Sequence, residues 1–323
     1  MKTNFKTLGI LLLGSISIVS CSNNDEPTKD YVPSAAAFYG IKEQGIRSHT
    51  QNFTATAGTG MITLTSSHGV QISINGNALT KNGNPVTGAI DIEFIELFDK
   101  GSMLATNKST MGKMLDGNQS VLISGGEFYL NATQSGVQLV PNAIIQLAVP
   151  TSLTDGLDNT MTFWEGNTAD PENLVWEKPR GPQDGAVGFT MAGNYSLTFG
   201  NFGWTNIDRF YSDPRPKTQI LATVPTGYNN TNCAIYLSVD GEGQNQLAKF
   251  DTYNSTTQQF SEHYGQIPIG LQCHLIFATE DNGQWRYAIK GVTTTASAIY
   301  NFSLSETQVG SEAQMIAAIN AIQ

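Results

Sequence analysis

Met61-Ile-Thr-Leu-Thr65 and Val70-Gln-Ile-Ser-Ile74 carry an apolar residue at every second position, and the second run stops at Asn75-Gly76. A period of two sends alternate side chains to opposite faces, so each run reads as a strand with one face buried, and Asn-Gly is a strong turn signal. Ile90-Asp-Ile-Glu-Phe94 alternates in the same way before the apolar phase shifts to Ile95 and Leu97. Such a shift marks a bulge or a strand covered on both faces. Val121-Leu-Ile123, Glu127-Phe-Tyr-Leu130, Ile144-Ile-Gln-Leu-Ala-Val149, Met161-Thr-Phe-Trp164, Leu174-Val-Trp176 and Tyr195-Ser-Leu-Thr-Phe199 continue the series. From Phe53 onward no helical period lasts three turns. The pattern predicts an all-β chain.

Only 14% of the 323 residues are charged and 32 are glycine, a mixture suited to strands joined by tight turns. Alternation closes at Phe199, and Gly200-Asn-Phe-Gly203 interrupts it before Trp204-Thr-Asn-Ile-Asp-Arg-Phe210. The expected fold is therefore two antiparallel β-sandwich-like domains, 51–200 and 201–323, of about 150 and 120 residues, each within the usual domain range. The second ends in a short C-terminal helix. Ser311-Glu-Ala-Gln314 is a capping box, and Met315, Ile316, Ile319 and Ile322 follow on one helical face. A helix of about three turns is marginal alone and is expected to dock on a sheet.

The first 20 residues read as a signal peptide. Lys2 and Lys6 precede an apolar run from Leu8 to Ile18, too short for a bilayer, which needs about 20 residues. Ile18-Val19-Ser20-Cys21 resembles the bacterial lipobox, which implies cleavage before Cys21 and lipidation of its thiol. Two acyl chains there would anchor the protein firmly, since one chain binds only marginally. Residues 21–50 are expected to be the lipidated cysteine and a flexible tether, with Ser22 to Ser34 polar, acidic and twice interrupted by proline. The localisation that follows is the bacterial cell envelope, lipid-anchored at the outer membrane, with exposure at the surface left open.

Without Lys2 and Lys6 the chain holds 15 basic against 27 acidic residues, a formal charge of −12. That field repels polyanions, so no nucleic-acid partner is expected. The membrane is a partner through Cys21 only; a protein or glycan partner is open.

Cys233 and Cys273 each open a similar apolar strand. In an oxidising compartment the pair is compatible with a disulfide, and equally with two buried free thiols. No cofactor and no metal site is expected: Cys-x2-Cys spacing is missing, and His49, His68, His263 and His274 are scattered. The turns at Asp155-Gly-Leu-Asp158-Asn159 and Asp240-Gly-Glu-Gly243 lack the calcium-loop pattern and read as hairpin turns. No catalytic residue stands out. There is no G-x-S-x-G, and Asp91 and Glu93 share the polar face of their strand.

The densest set of recognition residues is Trp204, Asn206, Asp208, Arg209 and Tyr211. On a strand Trp204, Asn206 and Asp208 share a face, and an aromatic ring beside amide and carboxylate groups suits a sugar. The competing reading buries Trp204 at a domain junction, and it is favoured.

Gly69-Val-Gln-Ile-Ser-Ile-Asn-Gly-Asn-Ala78, Leu122-Ile-Ser-Gly-Gly-Glu-Phe128 and Ile144 to Pro150 together resemble the ZU5-type β-sandwich domain over residues 69–150. Asn75 stands where that family usually has proline. The resemblance implies an interaction module. Self-cleavage, found in some members at His-Phe-Ser, is not implied, because that tripeptide is missing. The lipobox, the sandwich and the W-x-N-x-D-R stretch also resemble surface lipoproteins of Gram-negative bacteria. The expected role is thus a lipid-anchored, non-catalytic structural or recognition protein of the envelope. The alternative is a glycan-binding or glycan-processing component of a surface polysaccharide system.

Overall fold

The computed structural model describes residues 31–154, 156–170, 172–179, 181, 185–189, 193–241, 245–262 and 264–322. Cys21, the tether residues 22–30, Asp155, residues 242–243 and His263 lie outside them. Strands take 49% of the chain and helices 14%, so the fold is all-β and sandwich-like.

Alternation along the sequence becomes layers in space. A central sheet runs, in spatial order, through strands Gln51–Ala57, Gly88–Leu97, Gln119–Gln134, Gly203–Phe210, Thr162–Asn167, Val175–Glu177 and Met111–Lys113. The last of these also pairs with the start of Gln119–Gln134, Met111 opposite Val121, so this end of the sheet closes on itself. An outer sheet of Gly185–Phe189, Asn194–Phe199, Ile145–Pro150, Gln71–Asn75 and Met61–Thr65 covers one face. Ile72, Leu147 and Leu197 meet Ile92, Phe128 and Leu130 between the two, all buried. The phase shift after Phe94 is a strand covered on both faces: Phe94 enters this core, while Ile95 and Leu97 enter the next.

A second sandwich packs a sheet of Ala248–Lys249, Cys233–Val239, Gln272–Asp281, Gln284–Thr293 and Gln308–Gly310 against one built on Leu221–Thr223. Between the sandwiches lies a third core. Trp164, Trp176 and Leu122 from the central sheet meet Tyr236, Ile276 and Trp285 from the second sandwich, together with three helices.

The first helix, α1 (Ala35–His49), corrects the expectation of a tether to residue 50. Ser34 caps it by accepting from Ala37 N at 3.1 Å, and Phe38 and Ile41 are buried. Helix α2 is Lys100–Ala105, and α3 is Glu312–Asn320 with the expected capping box. α3 lies on α2 and on the strand Gln284–Thr293. The backbone of Gly101 passes so close to Ile316 that a Cβ would meet its Cα at 2.8 Å. Asn320 bridges Gly101 N and Asp99, and Lys100 Nζ donates to the Ile322 carbonyl at 2.9 Å.

The split near Gly200 to Gly203 is also corrected. Those residues are the turn by which the chain leaves the outer sheet and enters the central one, where Gly203–Phe210 pairs with Gln119–Gln134 and Thr162–Asn167. Residues Val32–Gln323 form one compact unit. Expressing residues 201–323 alone should accordingly give a poorly dispersed amide NMR spectrum, since that fragment lacks half of the shared core; a sharp, dispersed spectrum would restore the split.

Cys233 and Cys273 are free and buried, which removes the disulfide. Their strands are neighbours and antiparallel, but Cys233 faces Thr279 and Cys273 faces Val239. Six residues of strand separate them, about 20 Å, against a limit of about 7 Å between bridged Cα atoms. Burial pushes the Cys273 thiol up to about 12.

Candidate functional site

The strand Gly203–Phe210 holds the recognition cluster, and a bulge sets its geometry. Between Asn206 and Asp208 the register with Gln119–Gln134 slips, so Asn206 faces Glu127 while Asp208 faces Ser124. The extra length is Gly125-Gly126. Gly126 has φ +120°, and a Cβ on Gly125 would stand 2.9 Å from the Ile207 carbonyl, so the close backbone approach requires glycine.

The bulge keeps Trp204, Asn206, Asp208 and Glu127 on one face, towards the middle core. Asn206, Asp208 and Glu127 are fully buried there, so Asn206 and Asp208 do not form the surface site expected of them. Asn206 Nδ2 donates to Asp208 Oδ2 at 2.7 Å, and Trp164 Nε1 donates to the Asp208 carbonyl at 2.9 Å. Both Glu127 carboxylate oxygens, Asp208 Oδ1 and Asn206 Oδ1 have no partner among the described residues. Burial, and then the Asp208 charge, raise the Glu127 carboxyl well above its ordinary range; burial does the same to Asp208. Sequence reading missed Glu127 because its partner row exists only once the strands pair.

Arg209 turns to the opposite side and bonds Asp158 at 2.6 Å. Tyr211 leaves the cluster: its hydroxyl donates to Asp213 at 3.1 Å, and it lines a separate cavity of about 280 Å³ over Leu237 and Leu271.

Trp204 is nearly buried, 9% exposed, within the middle core of a single unit that has no domain boundary at this strand. It meets Trp176 edge-on at 6.5 Å, tilts 41° against Tyr129 at 5.3 Å, and carries Lys108 Nζ 5.2 Å from its ring centre. Its remaining surface forms part of the floor of an open groove of about 580 Å³. One wall is α1, with Glu43, Ile46, Arg47 and its C-cap Thr50; Lys108 comes from the segment after α2, and the rest from the central sheet, where Asn52 pairs with Glu93 and Ile95 with Tyr129. Tyr129 is half-buried, and burial together with Glu93 raises its phenol above the usual value. Glu93 and Asp91 are exposed, as their alternation implies.

A second constellation is visible only in register. Ser238 faces His274 across two strands, and Asp240 lies two residues on. His274 Nδ1 meets Asp240 Oδ1 at 2.7 Å, but its Nε2 stands against Gly291, where a Cβ would lie 3.2 Å away. Ser238 Oγ is buried with no partner among the described residues, and it makes no hydrogen bond to His274, so the serine is not wired to the imidazole. Among the described residues no group of three or more His, Cys, Asp or Glu side chains is arranged to hold a metal.

A scan against protein-family models finds no match, and a search of curated proteins finds no similar chain.

Proposed function

We propose that this protein is a lipid-anchored, non-catalytic component of the bacterial envelope, held at the outer membrane through Cys21, that recognises a partner through the groove between α1 and the central sheet. The groove carries the reading. Its volume lies within the roughly 300–1,000 Å³ of small-molecule sites, and its walls are a helix and paired strands, which hold binding groups more firmly than loops. The residue types that do chemistry elsewhere are used differently here. Glu127 and Asp208 are sealed from solvent, and Ser238 is disconnected from His274. The resemblance of residues 69–150 to an interaction module points the same way.

Two experiments test this. Cys21→Ser should release the protein from the membrane fraction, since it removes the acyl attachment; a variant that stays bound would refute the anchor. A photo-crosslinking residue placed at position 50, in the groove lining at the end of α1, should give discrete adducts in intact cells. The same residue at exposed Leu115, on a hairpin tip away from the groove, should not. Equal labelling at both positions would refute the groove as the recognition surface.

A further inference from the structure

The groove selects its ligand by the balance of its lining. Glu43 and Glu93 offer acceptors, Arg47 offers donors, Lys108 adds a second positive charge from over the Trp204 ring, and Asn52 offers both. An anionic ligand would meet the two carboxylates, and a cationic one would meet the guanidinium and ammonium groups. The formal charge of the whole chain, −10, further disfavours polyanions. What such walls satisfy is an uncharged molecule dense in hydroxyls, each of which both donates and accepts.

The floor adds the second requirement. Tyr129 presents a half-buried ring, and Trp204 behind it is fixed by Trp176 on one side and Lys108 on another. A ring clamped in this way loses little freedom when something stacks on it. Ile46 and Ile95 supply apolar surface beside it. Aliphatic C–H groups on one face and hydroxyls around the rim describe a pyranose.

We propose that the groove binds a neutral saccharide, with Tyr129 as the stacking ring and Glu43, Glu93, Arg47 and Asn52 as the hydroxyl-binding groups. The proposal rests on the groove being the recognition surface, as argued above. Lys108 is excluded from the direct contacts, because its ammonium is engaged with the Trp204 ring.

The test is calorimetric titration of the lipidated protein in detergent micelles with cellohexaose, maltohexaose, mannohexaose and, as the charged comparison, hexagalacturonate. At least one neutral hexasaccharide should bind one to one, and hexagalacturonate should bind more weakly than it. Tyr129→Ala should weaken binding by about tenfold or more, while Tyr129→Phe, which keeps the ring, should retain it. Arg47→Ala, on the solvent side of α1, supplies a second loss-of-binding variant should Tyr129→Ala fail to fold. No heat with any neutral hexasaccharide, preference for hexagalacturonate, or binding indifferent to both Tyr129→Ala and Arg47→Ala would each overturn the proposal. Adducts from position 50 in cells, combined with no saccharide binding, would overturn the saccharide and leave the recognition surface standing. Loss of both would remove the two together.

Discussion

Glu127→Leu should make the protein more stable, and the gain should widen as pH rises. Glu127 is fully buried, and neither carboxylate oxygen has a hydrogen bond of good geometry among the described residues; the Lys108 charge and the Trp176 indole, which donates to the Ser109 carbonyl, offset its burial only in part. Burial and the neighbouring Asp208 raise its folded pKa. A raised folded pKa means that the folded chain keeps a proton which the unfolded chain gives up above about 4.3. The native protein therefore holds its full stability below that range and loses stability as pH rises through the folded pKa. Leucine has nothing to ionise, so the variant escapes the loss. Replacing a buried ionisable group by an apolar residue of similar size is worth between nothing and about 4 kcal/mol; about 2 kcal/mol is expected here at pH 8, and less at pH 5. Thermal melts of both proteins at the two pH values decide it. A variant less stable at both, or a gap that does not move with pH, would mean that Glu127 is paired after all.

Trp204→Ala should cost about 3–5 kcal/mol, the usual range for deleting a large core aromatic. Trp204 Cβ already lies where a Cβ on Gly166 would be 2.6 Å away, and the ring packs on Trp176 and Tyr129. The strands therefore cannot slide inward to fill the hole, and the urea midpoint should fall accordingly. An unchanged midpoint would show that the ring contributes to the groove alone.

Strand content and the terminal capping box were legible because both are local signals: alternation at Met61–Thr65 and the Ser311 to Gln314 spacing need no distant partner. α1 was obscured by Gly40 and Gly45, which lie within its pattern. Gly45 has a packing reason, since a Cβ there would meet the Ala105 backbone. The error at Gly200 to Gly203 has a different cause. A glycine-rich turn between two sheets of one sandwich has the same composition as a linker between domains, and only the pairing of Trp204 with Tyr129 tells them apart. The cysteines fail in the same way, because like positions on antiparallel strands are opposite ends. The groove draws on residues from Glu43 to Trp204, so no window of sequence contains it.

The docking of α3 sets an order of events in biogenesis. Met315, Ile319 and Ile322 complete the core that also holds Phe38, Trp164 and Trp285. A chain emerging N-terminus first can assemble the outer sandwich early, but residues 311–322 arrive after everything they seal. Until then the part of that core which α3 covers stays open, a sticky intermediate of the kind that aggregates or occupies a holding chaperone. The interval between emergence of residue 210 and arrival of α3 is the vulnerable window in this protein's life, and its length is set by the rate at which the chain emerges rather than by the stability of the finished fold.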